Sequence, residues 1–447
     1  MKRLKKGIDL PVMGLVNDKT IKSYTPSLYA VRGAVDVHGL KPAMQVKVGD
    51  QVKVGQAIYV NKSNLNVPFV APVSGKVVEI HRGARRALQS VVIESDDKNT
   101  PVKAFSPIDI GANAETIVDV LVESGLFAYL KTRPYDNVPN PADLPDAIFI
   151  NTMDTNPLAL DETVVLADGD NVRYLQAGAH ILSKLTEGAT YVTAHPDTIL
   201  PKFGRAVKSV RFSGPHPAGM VGTHIHFLRP VSANKTVWTI GYQDAINIGR
   251  LAVTGVLSFD RYVSVAGPEA DAPAFIKTKV GASMCGVANP NGRTDLRVIN
   301  GSILTGDAVH TQTAFLGRTT TQISVMSDHT ECRALGWVIP WFDKFSSVLN
   351  VHFSAFNRKK LQYFDPALNG SYRALIPVGH LEELTPLDIL PSQLMRYVLI
   401  GDTDMAQKLG LLELSEEDIA LFAYADIGKN DFLGALRACL TKVEKEG

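Results

Sequence analysis

Hydrophobic and polar positions along the chain change texture three times. Up to about residue 100, valine and isoleucine alternate with polar residues in short runs. One run, Val46 to Ile58, contains the pair Gly49-Asp50; another, Phe69 to Ile80, contains Ser74-Gly75. Period-two alternation buries one face of each run, and glycine supplies the positive φ that a tight turn requires. The two runs predict matching halves of a β-hairpin sandwich. Arg82–Ser90 leads into a further strand at Val91–Glu94, and a stretch rich in Pro, Ser and Asp follows, Ser95–Asp109.

The period then lengthens. Ala114–Ser124 places Ile117, Val120 and Leu121 at helical spacing, with Gly125 near its end. Ala147–Ile150 reads as a short buried strand, Val172–Leu185 as a helix and Ala189–Ala194 as the next strand. Strand, loop and helix in repetition from about 102 to 255 argue for an open parallel sheet. Ligands of such sheets bind beyond the carboxyl ends of the strands. The polar loop Asn151–Asn156 occupies such a place, either lining a ligand site or capping the helix beyond. Short strands return at Arg261–Val265, Ala274–Thr278 and Arg297–Ile299. The last seventy or so residues read as helices. Asp388–Leu399 stops at Gly401; Ser415 with Asp418 forms a capping-box start to a helix that Gly428 closes. A final helix after Asn430 and Asp431 carries Phe432, Leu436, Cys439, Leu440 and Val443 on one face.

The expected fold class is therefore an α/β multidomain mosaic: a biotinyl/lipoyl-like barrel-sandwich, an open Rossmann-like α/β domain, a small β-grasp-like (SLBB-type) domain and a helical domain. The boundaries expected are 1–32 for an N-terminal segment, 33–100, 101–255 and 256–330 for the first three domains, 331–377 for a connecting segment and 378–447 for the helices. At 447 residues, 45% hydrophobic and 20% charged, the chain has ample material for several cores. Lys+Arg 46 against Asp+Glu 45 leaves +1, which argues against a nucleic-acid partner. No run approaches the 18 or so apolar residues of a membrane span, and the basic N-terminus lacks the apolar core of a signal peptide. Three scattered cysteines, Cys285, Cys332 and Cys439, form no CxxC pair and suit a reduced cytoplasmic setting.

Candidate chemistry is sparse. A carrier lysine would project between the two half-motifs, near Lys62, whose neighbours Asn61 and Ser63 are not those of biotin or lipoyl acceptors. His216, with His224 and His226 two apart on an expected strand, would either group around a metal or serve as structural imidazoles bonded to backbone. No GxGxxG, GxxxxGK[ST] or GxSxG is present, and three cysteines fall short of the four thiolates of a [4Fe–4S] cluster. The expectation is no catalytic residue and no metal site. Gly125–Asp136 alternates Phe127, Tyr129 and Tyr135 with Lys131 and Arg133. Aromatic faces with a cationic rim suit a flat, carbonyl-bearing ligand; the alternative is a loop packed by its own aromatics.

The order of these modules resembles a group containing the flavoprotein of respiratory complex I, the C component of the Rnf complex and the A components of the Na⁺-translocating NADH:quinone oxidoreductase (Nqr). It is most similar to the last. The similarity runs through Lys6–Pro11, Gly83–Arg86, Gln89–Glu94, Arg133-Pro134-Tyr135, Ser213–Gly219, Gly222–Phe227 and Arg297–Ser302. Where the complex I flavoprotein has a glycine-rich flavin loop, Gly125–Tyr135 carries bulky side chains, and Cys439 stands alone where that relative has cluster ligands. The resemblance implies a peripheral subunit on the cytoplasmic face of the bacterial inner membrane. It implies partnership with the other Nqr subunits, which hold the NADH site, flavins and iron centre, and no covalently bound cofactor on this chain. It also implies ubiquinone or a related quinone as ligand, assigned here to Phe127, Lys131, Arg133 and Tyr135. The other reading is an assembly scaffold that only docks partners.

Overall fold

The computed structural model describes residues 1–64, 67–109, 111–309, 314–330, 335, 360–368 and 371–446. Cys332 and much of the expected connecting segment 331–377 lie outside them.

The two half-motifs form a barrel-sandwich. Leu28–Arg32, Leu88–Ser95, Gly75–Arg82 and Gln51–Val52 make a four-stranded sheet, faced by a three-stranded sheet of Pro42–Met44, Ala57–Asn61 and Val67–Val70. The halves meet where Gln51 pairs with Lys76 and Val52 with Gly75. Alternation delivers the expected core, with Ile58, Val67, Val77, Val91 and Ile93 all fully buried. The barrel begins upstream of residue 33, because Leu28–Arg32 pairs in antiparallel fashion with Ser90–Glu94.

The α/β unit is a six-stranded sheet ordered Lys2–Arg3, Val207–Ser213, Ala189–Ala194, Ala147–Asn151, Val237–Gly241, Lys131–Arg133. All neighbours are parallel except the last strand, which runs antiparallel to Val237–Gly241. Its two faces are both covered. Ile148, Ile150 and Val192 pack in one core with helices Asn171–Leu182 and Tyr242–Thr254, whereas Ala147 and Phe149 pack against Ile225 of the helix Val221–Leu228. Strands buried on both sides read as continuous apolar runs, as Ala147–Ile150 does.

A second six-stranded sheet is ordered Asp307–Val309, Leu296–Asn300, Gln322–Ser327, Asp260–Ala266, Ala274–Lys279, Ile21–Ser23. The C-terminal helices gather around Leu394, Leu414, Phe422, Phe432 and Leu436. Pro391–Ile400 starts at its proline, three residues later than Asp388, and ends on left-handed Gly401. Glu416–Ala425 carries the anticipated capping box between Ser415 and Asp418.

The first 32 residues are shared among the units. They contribute an edge strand to the α/β sheet, one to the second six-stranded sheet and one to the barrel. Gly7 lies where this strap crosses the Ser213–Gly219 loop: its φ is +118°, and a Cβ there would sit 2.1 Å from the His216 carbonyl oxygen. Ile8 N donates to that oxygen at 2.8 Å, and Asp9 Oδ1 accepts from His216 N at 2.9 Å. Two of the distinctive sequence runs are thus one contact.

Candidate functional site

Strands Ala147–Asn151 and Val237–Gly241 run parallel and end at the same edge of their sheet. The loop after the first is held by its own polar residues. Asn151 Oδ1 accepts from Met153 N at 3.3 Å and Thr193 Oγ1 at 3.2 Å, and Asn151 Nδ2 donates to Gly219 O at 2.9 Å. Asp154 Oδ1 accepts from both the backbone and side-chain nitrogens of Asn156, at 2.8 and 2.9 Å. The next helix, Glu162–Ala167, is capped by Asp161. The loop therefore does not cap it, and lines a cleft instead.

That cleft encloses about 890 Å³ open to solvent, within the usual range for small-molecule sites. Tyr129, Met153, Met220, Ile240 and Tyr242 give it apolar walls. A polar arm of about 910 Å³ runs on past Ser302, Thr305 and Thr319–Thr321 of the neighbouring sheet's loops. Lys131, Asp154 and Asn156 border both spaces.

Sequence expectation and geometry part company along Gly125–Asp136. Gly125 takes φ +78° and ends the preceding helix; a Cβ there would meet Val70 of the barrel at 2.5 Å. Leu126–Tyr129 then makes one 3₁₀ turn with every side chain buried. Phe127 sits in the core, edge-on to Trp238 with centroids 5.8 Å apart, so it does not reach the cleft. Tyr129, two residues on, does. Lys131 lines the cleft with no carboxylate within salt-bridge distance among the described residues.

Arg133 borders the cleft too, but all three of its guanidinium nitrogens are engaged. Nε lies 2.7 Å from Asp136 Oδ1, Nη1 donates to Asp418 Oδ2 at 2.9 Å and Nη2 to Glu417 Oε1 at 2.6 Å. The same Asp418 oxygen closes the capping box by accepting from Ser415 N and Oγ. Arg133 thereby joins the edge strand of the α/β sheet to the N-terminus of a C-terminal helix. Tyr135 packs against the helical core, and its carbonyl accepts from Arg437 Nη1 at 2.8 Å, away from the cleft. Of the four residues expected around a ligand, Lys131 and Arg133 come together and Phe127 and Tyr135 stand behind or beside them.

Three cleft carboxyls bind their protons more tightly than usual. Burial raises Asp154 against two hydrogen bonds from Asn156. Burial raises Asp244 despite Arg261, whose Nη2 donates to Asp244 Oδ1 at 2.6 Å. Glu417 is pushed up to about 7 by burial, with Asp418 and Asp136 adding to it and Arg133 opposing. Burial raises the Tyr242 hydroxyl as well. Sequence reasoning missed Tyr242, Asp244 and Arg261, whose approach to the loop 151–156 is made by the fold.

The histidines do not form a metal centre. His224 and His226 lie on the helix Val221–Leu228 and not on a strand, so they point to different surroundings. The Pro215–Gly219 loop ahead of them permits the helix, and Ile225 fills its buried side. His224 Nε2 donates to Ala218 O at 2.9 Å, and His216 Nδ1 meets Thr155 Oγ1 at 3.2 Å. Burial lowers both rings to a pKa of about 4. His226 Nδ1 donates to Glu413 at 2.7 Å, and its Nε2 accepts from Asp388 N at 3.1 Å. Among the described residues no group of three His, Cys, Asp or Glu is placed to hold a metal ion. Lys62 is exposed in a turn whose neighbour Asn64 is tied to the carbonyls of Val138 and Pro139, at 2.7 and 2.6 Å.

Comparison with known proteins bears on the whole chain. Residues 2–96 match the family described as the NqrA N-terminal barrel-sandwich hybrid domain, 112–257 the NqrA second alpha/beta domain and 262–311 the NQRA C-terminal domain. Over the full length of both chains it is 42% identical to the NqrA protein of the Na⁺-translocating NADH-quinone reductase from Alcanivorax borkumensis and 43% to that from Saccharophagus degradans. The Pseudomonas aeruginosa counterpart is 42% identical over the same span.

Proposed function

The chain belongs to the NqrA family of the Na⁺-translocating NADH-quinone reductase, and on that premise we propose that its cleft holds the head group of a quinone. Membership makes it one component of a sodium-transporting respiratory enzyme, with the other subunits of that complex as partners. The observation that carries the quinone reading is the cleft at the carboxyl ends of the parallel strands. It joins aromatic and thioether walls to the ammonium group of Lys131, which forms no salt bridge among the described residues although Asp136, Asp244 and Glu417 are near enough to feel its charge. A quinone ring is flat and apolar on its faces and accepts hydrogen bonds only at its carbonyl oxygens, so it needs those two features together. Tyr129 supplies a face and Lys131 a donor. Phe127 supports the wall from behind through Trp238, Arg133 fixes the strand that presents Lys131, and Tyr135 anchors the same segment on the helices.

On the same reading the chain carries neither flavin nor iron–sulfur cluster. The segment Leu126–Tyr129 buries four side chains where backbone amides would have to open around a flavin phosphate. Cys439 is buried and its Sγ donates to Val398 O. NADH, flavins and iron belong to partner subunits in this reading. The chain sits on the cytoplasmic face of the membrane; no described helix is long and apolar enough to cross one.

The test is a titration of the purified chain with a short-tailed ubiquinone, followed by calorimetry. Saturation at micromolar concentration, about −8 kcal/mol, is expected, weakened about tenfold in Lys131→Gln. A folded chain that binds no quinone would leave an assembly scaffold as its role.

A further inference from the structure

Resting on the quinone reading, we propose that Asp154 is the residue that donates a proton to a carbonyl oxygen of the quinone as it is reduced in this cleft. Asp154 is half-buried and stands where the apolar cleft and its polar arm join. Its two oxygens are unequal. Oδ1 is committed to Asn156, while Oδ2 has no hydrogen-bond partner among the described residues. An anchored carboxyl with one free oxygen at a ligand cavity has the geometry of a general acid.

The surrounding charges set Asp154 apart. On the wall formed by strand Lys131–Arg133 and helix Glu416–Ala425, Arg133 answers Asp136, Glu417 and Asp418. On the floor, Arg261 answers Asp244. Across the polar arm, Arg32 answers Asp36 and Asp307. His38, Lys131 and Arg318, with the hydroxyls of Tyr129 and Tyr242, complete the charged or titratable lining, and burial keeps the Tyr242 hydroxyl protonated, with Asp154 adding to it. Among the described residues no cation stands within salt-bridge distance of Asp154, so nothing compels it to ionise on burial, and its proton is retained to higher pH than an ordinary aspartate's. Asp244 and Glu417 also retain protons well, but each has an arginine on it.

The step balances as follows. The quinone takes up two electrons that the complex obtains by oxidising NADH. The Oδ2–H bond of Asp154 breaks as a new O–H bond forms on the nearer quinone oxygen, leaving a carboxylate. The second proton comes from water through the polar arm, which is open to solvent and lined by Ser302, Thr305, Thr319 and Thr320 hydroxyls. Water in the same arm then reprotonates Asp154.

The experiment uses the assembled complex carrying Asp154→Asn, which keeps an Oδ1 acceptor for Asn156, and Asp154→Glu, which keeps the carboxyl. Three quantities are read: quinone affinity of the isolated chain, quinol formation by the complex against pH, and NADH oxidation with ferricyanide, which bypasses the quinone. Expected for Asp154→Asn is unchanged affinity, unchanged ferricyanide rate and at least a tenfold loss of quinol formation. The alkaline fall of the wild-type profile should disappear with it, and Asp154→Glu should recover much of the rate. Intact affinity with quinol formation within about twofold of wild type overturns the role of Asp154 and leaves the quinone site standing. Loss of affinity in Asp154→Asn makes it a binding residue and also overturns the proposal. Absence of quinone binding by the wild-type chain removes the quinone reading itself.

Discussion

Replacing Arg133 with methionine should loosen the C-terminal helices from the α/β sheet, and with them the cleft wall that carries Glu417, while leaving in place the apolar walls that the α/β unit supplies. The side chains of Arg133 and Asp418 are each 1% exposed, Asp136 is 14% and Glu417 38%. Only the Asp418 arm is therefore fully desolvated; the Glu417 arm is screened by solvent and adds little. Removing one partner of a buried pair strands the other charge, at a cost of about 3–5 kcal/mol. The hydrogen bonds from Ser415 offset part of the loss by still stabilising Asp418, which favours the lower end of that range. Urea unfolding, followed both by Trp fluorescence and by proteolysis within Glu416–Glu446, gives the magnitude and the region. A second change, Asp418→Asn, should return at least about 1.5 kcal/mol in the Arg133→Met background, because it removes the stranded charge. An Arg133→Met protein that unfolds like wild type would refute the docking role.

His216 and His224 have folded pKa values near 4 against about 6.5 unfolded, so stability should be present above pH 6.5 and fall as pH drops towards 4. Each contributes up to about 3 kcal/mol, and His224→Gln should flatten the acid limb of a denaturation series if it remains folded. Gly7→Ala should destabilise by about 1–3 kcal/mol through positive φ and collision with the His216 carbonyl, read as earlier proteolysis of the N-terminal strap. Phe127→Ala should cost about 3–5 kcal/mol as a core truncation. Quinone affinity in Phe127→Ala should fall only as far as Tyr129 shifts, whereas a loss matching Lys131→Gln would place the ring on the ligand.

Elements with a strong period and their own start and stop signals were legible in the sequence. The capping box at Ser415, the apolar face of Phe432–Val443 and the strand Ala147–Ile150 all came from local pattern, and local pattern is what decides them. The alternation His224-Ile225-His226 misled, because three residues fit strand and helix equally and only the burial of Ile225 against Phe149 separates the two. Segment Gly125–Asp136 drew notice by composition, yet composition does not say which way each side chain faces. The 3₁₀ turn rotates Phe127 inward and Tyr129 towards the cleft. The helix partners of Arg133 lie some 285 positions away in sequence, and the Asp244–Arg261 pair at the cleft was likewise invisible to spacing.

The shared N-terminal strap has a consequence for how the protein is made. Lys2 pairs opposite Phe212, and Ile21 opposite Phe275. At roughly 5–20 residues per second of synthesis, these first strands wait about 10–50 s for the partner strands to leave the ribosome. Neither six-stranded sheet can be finished in the order in which it is translated, whereas the barrel needs nothing beyond Ser95 to complete its own strands. The nascent chain should thus mature from the barrel outward, with the basic N-terminal end docked late as a seal across the α/β sheet. A change at Lys2 or Arg3 therefore acts on a late step of folding, although these residues are made some 210 positions before their partner strand.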